Sequence, residues 1–542
     1  MASSKMHPDS DDELELASLA SLDSQDAPDA PLAQPKWLQP TPSPSFTTTV
    51  VSSLRRRLWL SLLLLTTISY LVFHRPALPA YTGPHGVGTA DIELALDSPL
   101  NMSDIQLGSG AQVFSLKTVL FTLYYPAAPG AVSSLPQHEW LSRPISLRAR
   151  GYARFAHVDF APIRYLFTFA LWAFAGAVRI PAAVDVPLVP LDKEAQEASA
   201  RNARLPVVVF SHGMASSRTD YSALFGELAS RGIVVAALEH RDGSCPGTVI
   251  KRANHPDYPV VHFAEADLQT PDGKPIDTPT MKRTQLAFRE AEMWQAVRTL
   301  RNLDAGLGAA IAANNTRNQG SLAFDQFKNR LDFDRLIMAG HSYGATGALQ
   351  ALDPDSPYSR SSASAPIPSS ISPSSPIKPA GGLILDPGKE SGPLNPHAAA
   401  PLLVIHSNTW SRTHTLFYGR PHFSTVRDLV LDVLHRIPDH AAWFLTSIGT
   451  AHPTVTDAPF LAPLLLRWTT GASLDAHEAL RQYVYVADDF VTYLTNKTMA
   501  GLLHQKVTHR DYGVWVSKER QAEFPEKWKK LWEVHVSPES DA

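Results

Sequence analysis

Residues Gly340-His341-Ser342-Tyr343-Gly344 form a Gly-x-Ser-x-Gly motif between an apolar run, RLIMA, and a small-residue helix start, ATGALQAL. A strand, a tight turn and a helix are what a nucleophile elbow requires. The flanking small residues let the turn close and leave the Ser342 hydroxyl exposed above the sheet edge. The helix N-terminus beneath it favours developing negative charge. The five letters alone arise by chance in ~1 of 10 chains of this composition, so the context carries the reading. The bland alternative is a Gly-rich turn with an incidental serine.

A serine hydroxyl is a weak nucleophile at neutral pH and needs a base oriented by an acid. In α/β-hydrolases these follow the serine in the order acid, then histidine. Asp386 ends the strand candidate GLILD and turns into Pro387-Gly388, where a catalytic acid would sit; Asp353 and Asp355 are nearer but lie in a polar loop. For the base, His452 stands in the small-residue loop SIGTAHPT after apolar WFLTSI. Eleven histidines follow Ser342, so order alone does not choose, and His406 is the runner-up. Acyl transfer also needs two donors for the oxyanion. One is the N–H after the nucleophile, at Tyr343; the loop Ser211-His212-Gly213-Met214 supplies the other, at Met214.

These residues need a scaffold, and the sequence predicts an α/β-hydrolase: a mostly parallel sheet with covering helices, over residues 100–542. Strand candidates are 119–126, 206–212, 233–240, 335–342, 382–386 and 401–407, several apolar throughout and so buried on both faces. Leu286, Met293, Val297 and Leu300 mark a covering helix and read as core alone. Residues 356–380, rich in Ser and Pro, read as a disordered surface insertion. The uncharged stretch 165–178, YLFTFALWAFAGAV, is short for a membrane span and fits a core helix or a membrane-interface helix. The segment 524–536, FPEKWKKLWEVHV, reads as an interfacial element or a capping helix.

The 542 residues carry a formal net charge of −4. Residues 1–50 hold eight carboxylates against two lysines, a net of −6. With much Ser and Pro and few apolar residues, 1–54 is expected to be a disordered tail. Arg55, Arg56 and Arg57 then precede an uncharged run, 58–73, expected to be a single transmembrane signal anchor within 55–76. The arginines place the tail in the cytoplasm and the catalytic part in a lumen or outside the cell, with the organelle open. Sequons at Asn101, Asn314 and Asn496 are compatible with that topology. The charge is too balanced for a nucleic-acid partner. The lone Cys245 excludes an intrachain disulfide framework and a Cys-rich metal site; no cofactor or metal is expected.

Over residues 119–460 the sequence resembles the platelet-activating-factor acetylhydrolase family, the plasma and intracellular type II lipid acylhydrolases. The motifs are the YYP strand end (Tyr124, Tyr125, Pro126), SHG before Met214, EHRD at Glu239 to Asp242, the elbow, the strand-end Asp386 and the GTAH loop. The family often has Phe and a second Gly where Tyr343 and Ala345 stand, and lacks the Ser/Pro insertion. The resemblance implies Ser342, Asp386 and His452 as the triad, Met214 and Tyr343 as oxyanion donors, and a lipid-interface helix at 165–178. It implies a serine esterase that removes acetyl, short or oxidised sn-2 acyl chains from phospholipids at a membrane. A general carboxylesterase and an inactive anchored scaffold are the rivals.

Overall fold

The computed structural model describes residues 76–191, 204–252, 256–318, 324–360, 377–413, 415–417 and 419–539, together with Leu58, Trp59, Ser61 and Leu62. The expected acidic tail, and all but those four residues of the expected anchor run, lie outside the described residues. Among the described residues, no helix is long and apolar enough to cross a membrane. The chain divides into two units, 1–72 and 73–542, and everything below concerns the second.

A ten-stranded mixed sheet runs through it, in the order β10-β9-β8-β7-β6-β4-β5-β2-β1-β3. In chain order its strands are β1 (Gly86–Asn101), β2 (Ser115–Ala127), β3 (Ala183–Val184), β4 (Leu205–Ser211) and β5 (Val234–Leu238). They continue with β6 (Leu331–His341), β7 (Gly381–Leu385), β8 (Leu402–Ser407), β9 (Ala442–Ser447) and β10 (Trp532–Val536). From β5 through β4, β6, β7 and β8 to β9 the pairing is parallel, and antiparallel pairs add β2 and β10 on the two sides. The helices used below are α1 (Ile145–Phe155), α2 (Ala161–Ala175), α3 (Ser222–Ser230), α4 (Thr278–Asp304), α5 (Tyr343–Ala351), α6 (His422–Arg436), α7 (Pro463–Thr470) and α8 (Ala476–Asn496).

The central strands are buried along their whole length, β5 and β7 to β9 without exception, as helices on both faces of a parallel sheet require. All six expected strands are present. β1 begins at Gly86, ahead of the expected domain start at 100, because its antiparallel pairing with β2 recruits the earlier segment. The C-terminal segment corrects the capping-helix expectation. Only Glu526–Lys529 is helical, and Trp532–Val536 closes the sheet beside β9, fully buried. Its alternation of apolar and polar residues was the strand signal. In the expected insertion, Pro357–Arg360 is a helical turn, the Ser356 hydroxyl donates to Glu290, and 361–376 lie outside the described residues.

The stretch 165–178 falls mainly on α2, whose only buried residue is Ala175. Phe160, Tyr165, Leu166, Phe169 and Trp172 are each more than half exposed, which overturns the core-helix alternative. Leu464, Leu465 and Trp468 of α7 are equally exposed.

Trp443 of β9 shows how the sheet is held. It is fully buried, meets Phe490 and Tyr493 of α8 edge-on at 5.9 and 5.1 Å, and donates its indole N–H to the Leu503 carbonyl at 2.9 Å. Trp443→Ala is expected to cost about 3–5 kcal/mol by the cavity it leaves, measured as a lowered midpoint in denaturant unfolding.

Candidate active site

Ser342 follows the last residue of β6 and precedes the first of α5, with φ 56° and ψ −122°, a backbone state that L-residues rarely adopt. The two glycines of the motif make that turn sterically possible. A Cβ on Gly340 would sit 2.2 Å from the Gly344 carbonyl oxygen, and one on Gly344 would sit 1.9 Å from that of Ser211. The Ser342 N–H donates to the Leu385 carbonyl at 2.9 Å, which ties the elbow to the end of β7.

Asp386 follows β7 and also has positive φ, 47°. Its Oδ1 accepts from the Ser407 N–H at 2.6 Å. Its Oδ2 accepts from the Ser407 hydroxyl at 2.7 Å and meets His452 Nδ1 at 2.9 Å. His452 Nε2 lies 3.0 Å from Ser342 Oγ. The acid side chain is 4% exposed and the imidazole 29%, so the carboxylate is shielded while the base opens onto a cavity. On one side Trp410 stacks on the His452 ring, centroids 3.8 Å apart and planes at 10°; His341 lies at 4.5 Å. Burial, and then the neighbouring His452, push the His341 imidazole well below its usual range, so it stays neutral beside the base.

His341, Asp386 and His452 bring donor atoms within 4.8 Å of one another, close enough for a metal ion. Both ring nitrogens of His452 are already engaged, however, by Asp386 and Ser342. The arrangement is therefore complete as a proton relay. The runner-up base, His406, is fully buried, bonded to Ser411 at 3.2 Å and packed on Phe444. Asp353 and Asp355 form a turn beyond α5 and take no part in the relay.

Ser342, Tyr343 and Met214 line a cavity of about 940 Å³, walled by Phe155, Phe263, Met281 and Trp410 among others. A second cavity, of about 270 Å³, shares Met214, Ser342 and His452 and is bounded by Trp140, Tyr152 and Tyr221. The Met214 N–H is unengaged among the described residues. That of Tyr343, first in its helix, has no partner within the helix. Both are available to a developing oxyanion.

One side chain joins the two oxyanion segments. Arg289 of α4 is fully buried and donates Nε to Asp242 at 2.8 Å, Nη1 to the His212 carbonyl at 2.6 Å and Nη2 to Ser244 at 2.5 Å. Its guanidinium also lies 4.4 Å from the Tyr343 ring centroid. The Tyr343 hydroxyl donates to Gln285 at 2.7 Å, and Gln285 donates to the Asp242 carbonyl at 3.0 Å. The EHRD segment supplies more of the support. Glu239 is bonded by Arg148 at 3.3 Å and by the Arg218 N–H at 3.0 Å; burial alone would raise its carboxyl, but these cations bring it down to about 2. His240 bridges Ser211 Oγ, at 2.7 Å, and Glu292, at 2.5 Å, and Arg241 reaches Glu93 at 2.6 Å.

Sequence reasoning missed Arg289, Ser407 and Trp410. A charged residue inside the apolar face of α4 was a usable signal for Arg289. Ser407 ends β8, the neighbour of β7, so strand adjacency to Asp386 could have found it. No feature of the sequence marks Trp410.

A family model described as platelet-activating factor acetylhydrolase, isoform II, matches residues 70–364, a span that holds Ser342 and both oxyanion segments. A protein of Schizosaccharomyces pombe, provisionally named a phospholipase A2, is 30% identical over 281 residues, 49% of this chain and 57% of its own length. The platelet-activating factor acetylhydrolase of Canis lupus familiaris is 32% identical over 185 residues, 34% of this chain and 37% of its own length. The chain thus spans between about a third and just over half of these relatives. Among solved structures, a ferulic acid esterase from Streptomyces cinnamoneus aligns over 79% of this chain and 96% of its own, at 18% identity and a TM-score of 0.45.

Two substitutions separate the parts of this site. Asp386→Asn should lower kcat by about 10³–10⁴-fold by disturbing the His452 tautomer, with the unfolding transition little moved. Gly344→Ala should force the elbow away from Ser211 and cut kcat by about 10²-fold or more, the scale of losing an oxyanion donor. Steady-state kinetics on a soluble ester check both.

Proposed function

Because the chain belongs to the platelet-activating factor acetylhydrolase isoform II family, we propose that it is a serine esterase acting on the sn-2 acetyl, short or oxidised acyl chain of phospholipids. The observation that carries the reading is the Ser342–His452–Asp386 relay, bonded at 3.0 and 2.9 Å, opening onto a large, mainly apolar cavity.

In this reading His452 Nε2 takes the Ser342 proton as the hydroxyl attacks the ester carbonyl. Asp386 holds the tautomer and stabilises the imidazolium. The oxyanion is met by the N–H groups of Met214 and Tyr343. Collapse expels the glycerol alkoxide, protonated by His452, and leaves an acyl-Ser342 ester. Water, deprotonated by His452, then releases the acid. Trp410 fixes the ring plane of the base, and neutral His341 adds no like charge to the imidazolium.

The exposed apolar residues of α2 and α7 support action at a lipid surface. Tyr165, Phe169 and Trp172 on one helix and Leu464, Leu465 and Trp468 on the other would lose unfavourable water contact on docking.

Ser342→Ala should abolish both ester hydrolysis and labelling by a fluorophosphonate, with an unchanged unfolding transition. The wild-type protein should release acetate from an acetyl-sn-2 phospholipid faster than a fatty acid from a long-chain one, with or without chelator. Turnover of simple esters with no phospholipid turnover would favour a general carboxylesterase; labelling retained by Ser342→Ala would refute the nucleophile.

A further inference from the structure

Two lysines stand in the wall of the large cavity and the proton relay uses neither. Lys282 lies on α4 and Lys389 in the loop three residues past Asp386. Lys282 Nζ sits 4.7 Å from the ring centroid of Tyr343, the residue that follows the nucleophile. It makes no hydrogen bond or ion pair with any described residue. Lys389 Nζ sits 4.5 Å from the ring centroid of Trp410, which stacks on His452. It donates to the carbonyls of Trp410 and Thr413, both at 3.0 Å, and has no carboxylate partner among the described residues.

Lys389 is therefore one aromatic ring away from His452, and Lys282 lies over the ring of the residue that follows Ser342. Both are partly buried in a wall that includes Phe155, Phe263 and Met281, and burial pushes both ammonium groups below their usual range. Asp242, Glu390 and Glu265 act on Lys282 and Asp386 on Lys389 through space, but among the described residues neither ammonium forms an ion pair with any of them. A half-buried cation with no direct ion-pair partner is held at a cost, which an anion of the ligand would reduce.

We propose that Lys282 and Lys389 form an anion subsite that takes the phosphodiester of the substrate while its sn-2 ester lies at Ser342. The inference rests on the phospholipid reading above and adds to it the residues that select a charged headgroup. The placement suits the chemistry. In a phosphoglyceride the phosphodiester is a short glycerol arm from the sn-2 ester, and both lysines line the cavity onto which Ser342 and His452 open. Lysine binds phosphate as a point charge through whichever N–H bonds remain free. In an apolar cavity that attraction is far stronger than in water. A neutral ester of the same acyl chain gains nothing from it.

The test compares 1-alkyl-2-acetylglycerophosphocholine with the phosphate-free 1-alkyl-2-acetylglycerol, using the full chain and its Lys282→Met and Lys389→Met variants. The ratio of kcat/KM for the phosphodiester to that for the neutral ester should fall about ten- to a hundredfold in each variant, the scale of one charge-assisted contact. A ratio within about twofold of wild type in both variants overturns the subsite.

A second arm keeps the subsite separate from the activity. Glycerophosphocholine is titrated by calorimetry into Ser342→Ala with and without the lysine changes, at low and high salt. Salt-sensitive binding that is lost with either lysine supports the subsite even if the wild-type protein cleaves no phospholipid, a result that would defeat the substrate reading alone. Binding unaffected by both substitutions, or none in Ser342→Ala, overturns the subsite and leaves the esterase reading standing.

Discussion

The turn at Ser342 is the constraint on which the rest of the site depends. A serine at φ 56° is held against its own backbone preference, at a cost of about 1–3 kcal/mol. The surroundings must over-determine it. Gly340 and Gly344 allow two backbone segments to approach closer than any side chain would permit, and the bond from Ser342 N–H to Leu385 fixes the turn to the strand that delivers Asp386. The same close approach sets Gly344 against Ser211, so the elbow and the oxyanion loop touch through backbone alone. The turn thereby ties the Ser342 hydroxyl to the strand end that carries Asp386 and to the Ser211 segment that leads to Met214.

Buried charge supplies the second layer. Arg289 has no exposure and would be costly without full compensation. Its guanidinium meets a carboxylate, a hydroxyl, a main-chain carbonyl and an aromatic face. Because those partners belong to the EHRD segment, the oxyanion loop and the elbow helix, one planar fork correlates three separate pieces of chain. Asp242 shows the balance: burial pushes its carboxyl up, but Arg289 and Ser244 hold it below the usual carboxylate range. Glu239 is in the same position between Arg148 and Arg218. These pairs act as a fixed frame behind the reactive face, where a mobile network would let the donors drift.

Much of this was legible in the sequence because it is local. The elbow, the strand-end Asp386 and the small-residue loop carrying His452 each announce themselves within a few residues, and continuous apolar runs revealed the central strands. What escaped is set by adjacency in space. Trp410 and Ser407 matter through strand β8 lying beside β7, and Arg289 through helix α4 crossing behind β4 and α5. β10 was obscured because its sequence neighbours, Trp528 and the lysines around it, suggest an amphipathic helix, while pairing with β9 decides otherwise. The exposed face of α2 was ambiguous for a related reason: an apolar run does not say whether protein, lipid or water covers it.

In the proposed reading the sheet, the strained turn and the buried arginine serve one chemical event, transfer of an acyl group to Ser342 Oγ. Rapid quenching of the wild-type protein with an acetyl-sn-2 phospholipid, followed by mass spectrometry of the Ser342 peptide, tests it most directly. The account predicts an acetyl group on Ser342 that accumulates within the first turnover and decays as substrate is exhausted. Steady hydrolysis with Ser342 unmodified, or with the acetyl group on another residue, would contradict it.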